Sequence, residues 1–120
     1  MAVRAIRGAI QIDHDDRAEV MRSSAELLSK CLHANEIDTD ALISVMFTAT
    51  PDITSEFPAL AARELGLGDV PLMCAVEMNV AGSMPRVIRL MALVECDTPR
   101  KYILHTYLRG AVALRLDLAQ

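Results

Sequence analysis

Tryptophan is absent from this 120-residue chain, and phenylalanine and tyrosine number two each. Proteins that grip single-stranded nucleic acid stack bases on aromatic rings, so this composition argues against that partner. Lysine is scarce too: of twelve basic residues only Lys30 and Lys101 are lysines. With a net charge of −4 and a pI of about 5.3, the chain lacks the dense basic face of a general nucleic-acid binder. The three cysteines, Cys31, Cys74 and Cys96, are odd in number and widely spaced. That opposes a disulfide framework and suits a reducing compartment. Zinc-ligand spacings, a phosphate loop and a dinucleotide fingerprint are all missing. No apolar stretch approaches membrane-spanning length, and Arg4 and Arg7 precede no signal-type block. A cytoplasmic protein is expected, with no cofactor, metal, nucleic acid or membrane partner.

What is present is apolar. Hydrophobic residues make up 52% of the chain, more than one small core readily hides. A single domain over 1–120 with subunit contacts follows.

The order of elements reads β-α-β-α-β-β-α-β. Residues 2–12 form a first strand. Asp13 is the expected N-cap of a helix, with Asp15 and Asp16 in its first turn. Its apolar stripe is Ala18, Met21, Ala25, Leu28 and Leu32. A strand over 41–48 follows, then the loop Ala49-Thr50-Pro51-Asp52. A short helix starts at Pro58 and runs to Leu65, stopped by Gly66 and Gly68. Strands over 70–78 and 86–95 come next. Thr98 and Pro99 predict a third helix, Gly110 ends it, and residues 111–115 read as a last strand. The fold class is α+β, a mixed β-sheet with helices packed on one face.

Charged residues interrupt these apolar strands. Arg89 lies within Val87-Ile88-Arg89-Leu90-Met91-Ala92-Leu93-Val94, Arg7 within Val3-Arg4-Ala5-Ile6-Arg7-Gly8-Ala9-Ile10, and Glu77 closes the run from Val70. A guanidinium cannot shed its charge and brings five donors. Buried, it must be paired or receive an anion. Strand alternation puts Arg89 on a face with Val87, Met91 and Leu93, and Arg7 with Val3, Ala5 and Ala9. Two arginines and an acid so placed can clamp an acidic small molecule, with Glu77 accepting a hydroxyl proton. An Arg89–Glu77 ion pair that only fills space is the bland alternative. Cys74 falls one position off the Glu77 face, so its sulfur reads as a small buried hydrophobe. On composition alone Tyr107 packs with a surface hydroxyl, and Arg63 is a solvated helix residue.

These segments together resemble the monofunctional chorismate mutases of the trimeric, α/β-barrel-like (Bacillus-type) class. The carriers are Ile6-Arg7-Gly8-Ala9, Ala49-Thr50-Pro51-Asp52, Phe57-Pro58-Ala59, Arg63-Glu64-Leu65, Val70-Pro71, Cys74, Glu77-Met78, Ile88-Arg89, Tyr107-Leu108 and Leu114-Arg115 with Asp117-Leu118. Each is weak alone; their order and spacing are specific, and they span nearly the whole chain. The resemblance implies a pseudo-barrel homotrimer with active sites between subunits. Its substrate would be chorismate, rearranged to prephenate in aromatic amino-acid biosynthesis. Arg7, Arg89 and Glu77 would be catalytic. Arg7 would bind a carboxylate near the ether oxygen, Arg89 would donate to that oxygen, and Glu77 with the backbone at Cys74 would hold the ring hydroxyl. Tyr107 would contact the side-chain carboxylate. Phe57, Ala59, Met73 and Leu114 would line the pocket, with Arg63 and Arg115 at its mouth. Leu60 stands at an entrance position where lysine is found in relatives, and Met73 replaces a smaller polar residue.

The same residues also suit a non-catalytic trimer that binds a small carboxylate, since architecture alone does not fix activity. Turnover of chorismate separates the two.

Overall fold

The computed structural model describes residues 2–114. In chain order these form β1 (Val3–Gln11), α1 (Arg17–Ala34), β2 (Leu42–Ala49), α2 (Pro58–Ala62), β3 (Leu72–Val76), β4 (Val87–Glu95) and β5 (Thr106–Leu108). The strands make one five-stranded sheet, ordered β3-β2-β4-β1-β5. β4 runs antiparallel to β1 and β2, while the edge strands β5 and β3 lie parallel to β1 and β2. The sheet is therefore mixed, and α1 and α2 pack together against one face, as expected.

Alternation sorts the two faces. Ile6 and Ile10 of β1, Val45 and Phe47 of β2, and Ile88, Leu90, Ala92 and Val94 of β4 form one core with Val20, Leu27, Leu28, Cys31 and Leu32 of α1. The residues between them point to the open face. Arg7 lies opposite Met91, which lies opposite Met46, itself opposite Met73. One step along, Ala75, Thr48, Arg89, Ala9 and Tyr107 form the next row across the sheet. Met46, Met73 and Met91 are exposed large hydrophobics.

Several local expectations are corrected. Asp16, not Asp13, caps α1: its side chain accepts from the Glu19 N–H at 2.8 Å. The Asp13 and His14 N–H groups donate instead to the Glu19 carboxylate, so the acid in the first turn holds the segment leading into the helix. The buried residues of α1 are Glu19, Val20, Ser23, Ser24, Leu27, Leu28, Cys31 and Leu32, sharing only Leu28 and Leu32 with the expected stripe. The small residues let the helix come down onto β1. At Gly8 an added Cβ would lie 2.6 Å from Cys31 Sγ.

The helix from Pro58 continues past Ala62 as a wider turn, Arg63–Leu67, and Gly66 ends it at φ 90°. The third helix is only a 3₁₀ turn, Arg100–Tyr102, with Pro99 as its cap and no side-chain capping bond. The chain then extends because the Asn35 amide grips Leu104, accepting from its N–H at 2.8 Å and donating to its carbonyl at 2.9 Å. That grip delivers Thr106–Leu108 to the free edge of β1. The last strand is thus 106–108, and the strand expected over 111–115 is not formed: Arg109–Ala113 is a 3₁₀ helix. Arg115 lies outside the described residues.

Candidate active site

The open face carries the charged groups. Arg89, in mid-β4, reaches Glu77 just past the end of β3, with Nε 3.1 Å from both Oε1 and Oε2. The two strands are not neighbours; β2 lies between them. Thr48 of β2 fills that gap and donates its hydroxyl to Glu77 Oε2 at 2.7 Å. The Glu77 side chain is 17% exposed and that of Arg89 41%. The carboxylate is thus held by two donors, while the guanidinium keeps an accessible edge.

On β1, Arg7 donates from Nη2 to the Tyr107 hydroxyl at 3.0 Å. Its backbone N–H donates to Nδ1 of His105, also at 3.0 Å. Only a neutral imidazole has an acceptor nitrogen. Burial, then the nearby Arg7 charge, lowers the His105 pKa below the ordinary histidine value, which favours that neutral form. Arg7, Ala9, Met46, Thr48, Arg89, Met91 and Tyr107 line one cavity of about 250 Å³. Leu114 packs from the side, against Ala9, Val87 and Ala111 in a small cluster with Tyr107.

The other expected site residues gather elsewhere. Phe57, Pro58, Cys74, Ala75 and Val76 line a second cleft of about 330 Å³, between the start of α2 and β3. Phe57 is 70% exposed. The buried Ala59 donates its N–H to Cys74 Sγ at 3.4 Å, and burial raises the Cys74 pKa. Its sulfur therefore faces α2 as a protonated thiol, away from Glu77, as alternation had indicated. Arg63 is exposed on the wide turn after α2, and Met73 is exposed on the open face of β3. The chain thus brings Arg7, Arg89 and Tyr107 to the first cavity, with Glu77 bonded to Arg89, and Phe57 and Cys74 to the second, with Ala59 bonded to Cys74.

Thr48 and His105 were missed. A threonine in a strand carries no signal until the register sets it beside Glu77, and His105 gains its role only from the turn that leads to β5. Among the described residues no group of three or more His, Cys, Asp or Glu side chains is placed to hold a metal ion.

Chemically, the cavity wall carries two guanidiniums and a phenol, and the Glu77 carboxylate is fixed on two of its lining residues, Thr48 and Arg89. Held rigidly, such groups stabilise charge that develops during a reaction without reorganising. A small mixed-sheet domain with paired arginines on its open face defines a class: an anion-handling α+β protein. The sequence comparisons narrow it. Residues 3–118 match the family described as chorismate mutase type I. The chain is 50% identical over 117 residues to the chorismate mutase AroH of Thermus thermophilus, a match covering 97% of this chain and 96% of the relative. It is 38% identical over 120 residues to AroH of Bacillus subtilis, covering 99% and 94%. A solved chorismate mutase from Clostridium thermocellum superposes with a TM-score of 0.89 at 38% identity, over 91% of this chain and 97% of that one. The chain belongs to the type I chorismate mutase family.

Proposed function

We propose that this protein is a chorismate mutase that rearranges chorismate to prephenate, for the synthesis of phenylalanine and tyrosine. The observation that carries the reading is the gathering of Arg7, Arg89, Glu77 and Tyr107 on one sheet face of a chain that matches the family along its length. The reaction is unimolecular. A carbon–oxygen bond breaks as a carbon–carbon bond forms, and neither a nucleophile nor a proton transfer is needed. The enzyme must select the compact conformer and complement its transition state.

Negative charge gathers on the ether oxygen as its bond stretches, and positive charge spreads over the ring. Arg89 donates to that oxygen, and Arg7 binds a carboxylate beside it. Glu77 accepts the ring hydroxyl, with the backbone at Cys74 as second holder, and its charge also favours the electron-poor ring. Tyr107 meets the side-chain carboxylate. Phe57, Ala59, Met73 and Leu114 are the apolar walls, and Arg63 and Arg115 stand at the mouth.

The working unit in this reading is a homotrimer, with each site shared by two protomers. Two observations support it. The cationic cavity and the Phe57–Cys74 cleft are separate on one chain, as expected if a neighbour's cleft completes each cavity. The open sheet face also exposes Met46, Met73 and Met91, an apolar row suited to burial against another copy.

The test is direct. Purified protein is mixed with chorismate, and loss of substrate and appearance of prephenate are followed. Turnover supports the reading. Saturable binding with no prephenate formed would overturn it in favour of a carboxylate-binding protein.

A further inference from the structure

We propose that Asp15 is a positioning residue that fixes the segment presenting Phe57, and through it the apolar wall of the substrate site. The inference rests on the mutase reading, in which Phe57 lines the pocket.

Asp15 lies in the stretch leading into α1, thirty-nine and forty residues before its partners. One carboxylate oxygen, Oδ2, accepts from the Thr54 N–H and the Thr54 hydroxyl, both at 3.0 Å. The other, Oδ1, accepts from the Ser55 N–H at 3.1 Å and the Ser55 hydroxyl at 2.7 Å. A single side chain thus satisfies two consecutive backbone donors and both adjacent hydroxyls. Burial alone would raise the Asp15 pKa, but these four bonds outweigh it and hold the carboxyl below its ordinary value.

A second tether lies beside the first. Arg17 Nε meets Glu56 Oε1 at 2.9 Å, and Glu56 Oε2 accepts from the Phe57 N–H at 2.9 Å. Among the described residues, the side-chain bonds that tie Thr54–Phe57 to the rest of the fold come from Asp15 and Arg17. The segment needs such ties. Phe57 is 70% exposed, so packing does not hold it, and as N-cap of α2 it makes no side-chain capping bond. Asp15 is the stronger anchor, because it has two backbone partners and charge-assisted bonds, whereas Arg17 is solvent-exposed and such a pair holds weakly.

The experiment compares wild type, Asp15→Asn and the double variant Thr54→Val/Ser55→Ala. Steady-state chorismate kinetics, thermal unfolding and amide hydrogen exchange at Thr54 to Phe57 are measured on each. The expected result for Asp15→Asn is faster exchange at those amides and a KM raised about tenfold, equivalent to about 1.4 kcal/mol of binding. The kcat should stay within about twofold, since the chemistry is made by other side chains. The double variant, which keeps the backbone bonds, should show a smaller rise in KM in the same direction. Unchanged KM in both folded variants, or a fall confined to kcat, overturns the proposal. If Asp15→Asn does not fold, the double variant decides alone. A wild type that leaves chorismate untouched sinks the mutase reading instead; the exchange data would then still show whether Asp15 orders the segment.

Discussion

Arg89 meets Glu77 through one donor, Nε, which points between the two carboxylate oxygens at 3.1 Å from each. The Nη groups have no hydrogen-bond partner among the described residues. The carboxylate therefore fixes the stem of the guanidinium through Nε; in the mutase reading the outer donors serve the substrate. Partial exposure also makes the pair a weak source of stability.

Replacing Arg89 should accordingly affect catalysis more than folding. Arg89→Ala should lower kcat by roughly 10²–10³-fold, the scale for one transition-state donor. Arg89→Lys should fail to a similar degree. A single ammonium can pair with Glu77 or reach a substrate oxygen, but it lacks the planar fork that does both. Stopped-flow or steady-state turnover, with unfolding midpoints as control, checks this. Near-normal turnover in either variant would refute the assignment.

Thr48 makes the second restraint on Glu77. Thr48→Val keeps the shape and β-branching of the side chain but removes the hydroxyl that donates at 2.7 Å. Among the described residues, the carboxylate then has only Arg89 to orient it. We expect kcat/KM to fall about tenfold, in line with the loss of a bond to a charged group, and Thr48→Ser to restore most of it. Equal activity in Thr48→Val and wild type would show that Arg89 alone positions the acid.

Much of this site was legible in the sequence, and the reason is period two. A guanidinium in an alternating strand announces its companions, so Arg7 falls with Val3, Ala5 and Ala9 and Arg89 with Val87, Met91 and Leu93 before any fold is known; the pairing of β1 with β4 then puts both sets on one side. The helix-facing residues Ile88, Leu90 and Val94 follow by the same rule. What alternation cannot give is which strands are neighbours. β3 and β4 are consecutive in sequence, yet β2 separates them, and only that order puts Thr48 between Arg89 and Glu77. The C-terminal misreading has a different cause. Thr98-Pro99 carries the local signature of a helix start, but tertiary bonds from Asn35 to Leu104 extend the chain and dock Thr106–Leu108 onto β1. The stripe of α1 was misplaced because Ser23 and Ser24 are buried for their size, which a hydrophobicity pattern does not register.

Gly8 and Cys31 mark a close approach of α1 to the sheet. A methyl at residue 8 would meet Cys31 Sγ at 2.6 Å and a Leu27 methyl at 3.0 Å. Gly8→Ala should destabilise the protein by about 1–3 kcal/mol, the range for overpacking a dense core. Cys31→Ala in the same chain should recover part of the loss, because it removes the closest atom. Chemical denaturation of the two single variants and the double variant completes the cycle. Additive losses would place the strain elsewhere.

His105 gives the fold a pH dependence with a defined sign. Its folded-state pKa lies below the ordinary value of 6.5, through burial first and the Arg7 charge second. Between the folded value and 6.5 the unfolded chain binds more protons than the native one. Stability contributed by neutral His105 is therefore complete above about pH 6.5 and declines as pH falls through that window. Protonation also removes the acceptor for the Arg7 N–H, so the loss is felt where Arg7 leaves the backbone. His105→Asn keeps an acceptor oxygen that does not titrate. The unfolding midpoint should fall less steeply from pH 7 to pH 5 in this variant than in wild type. Parallel slopes would assign the pH dependence to other groups and leave the Arg7–His105 bond without a role in it.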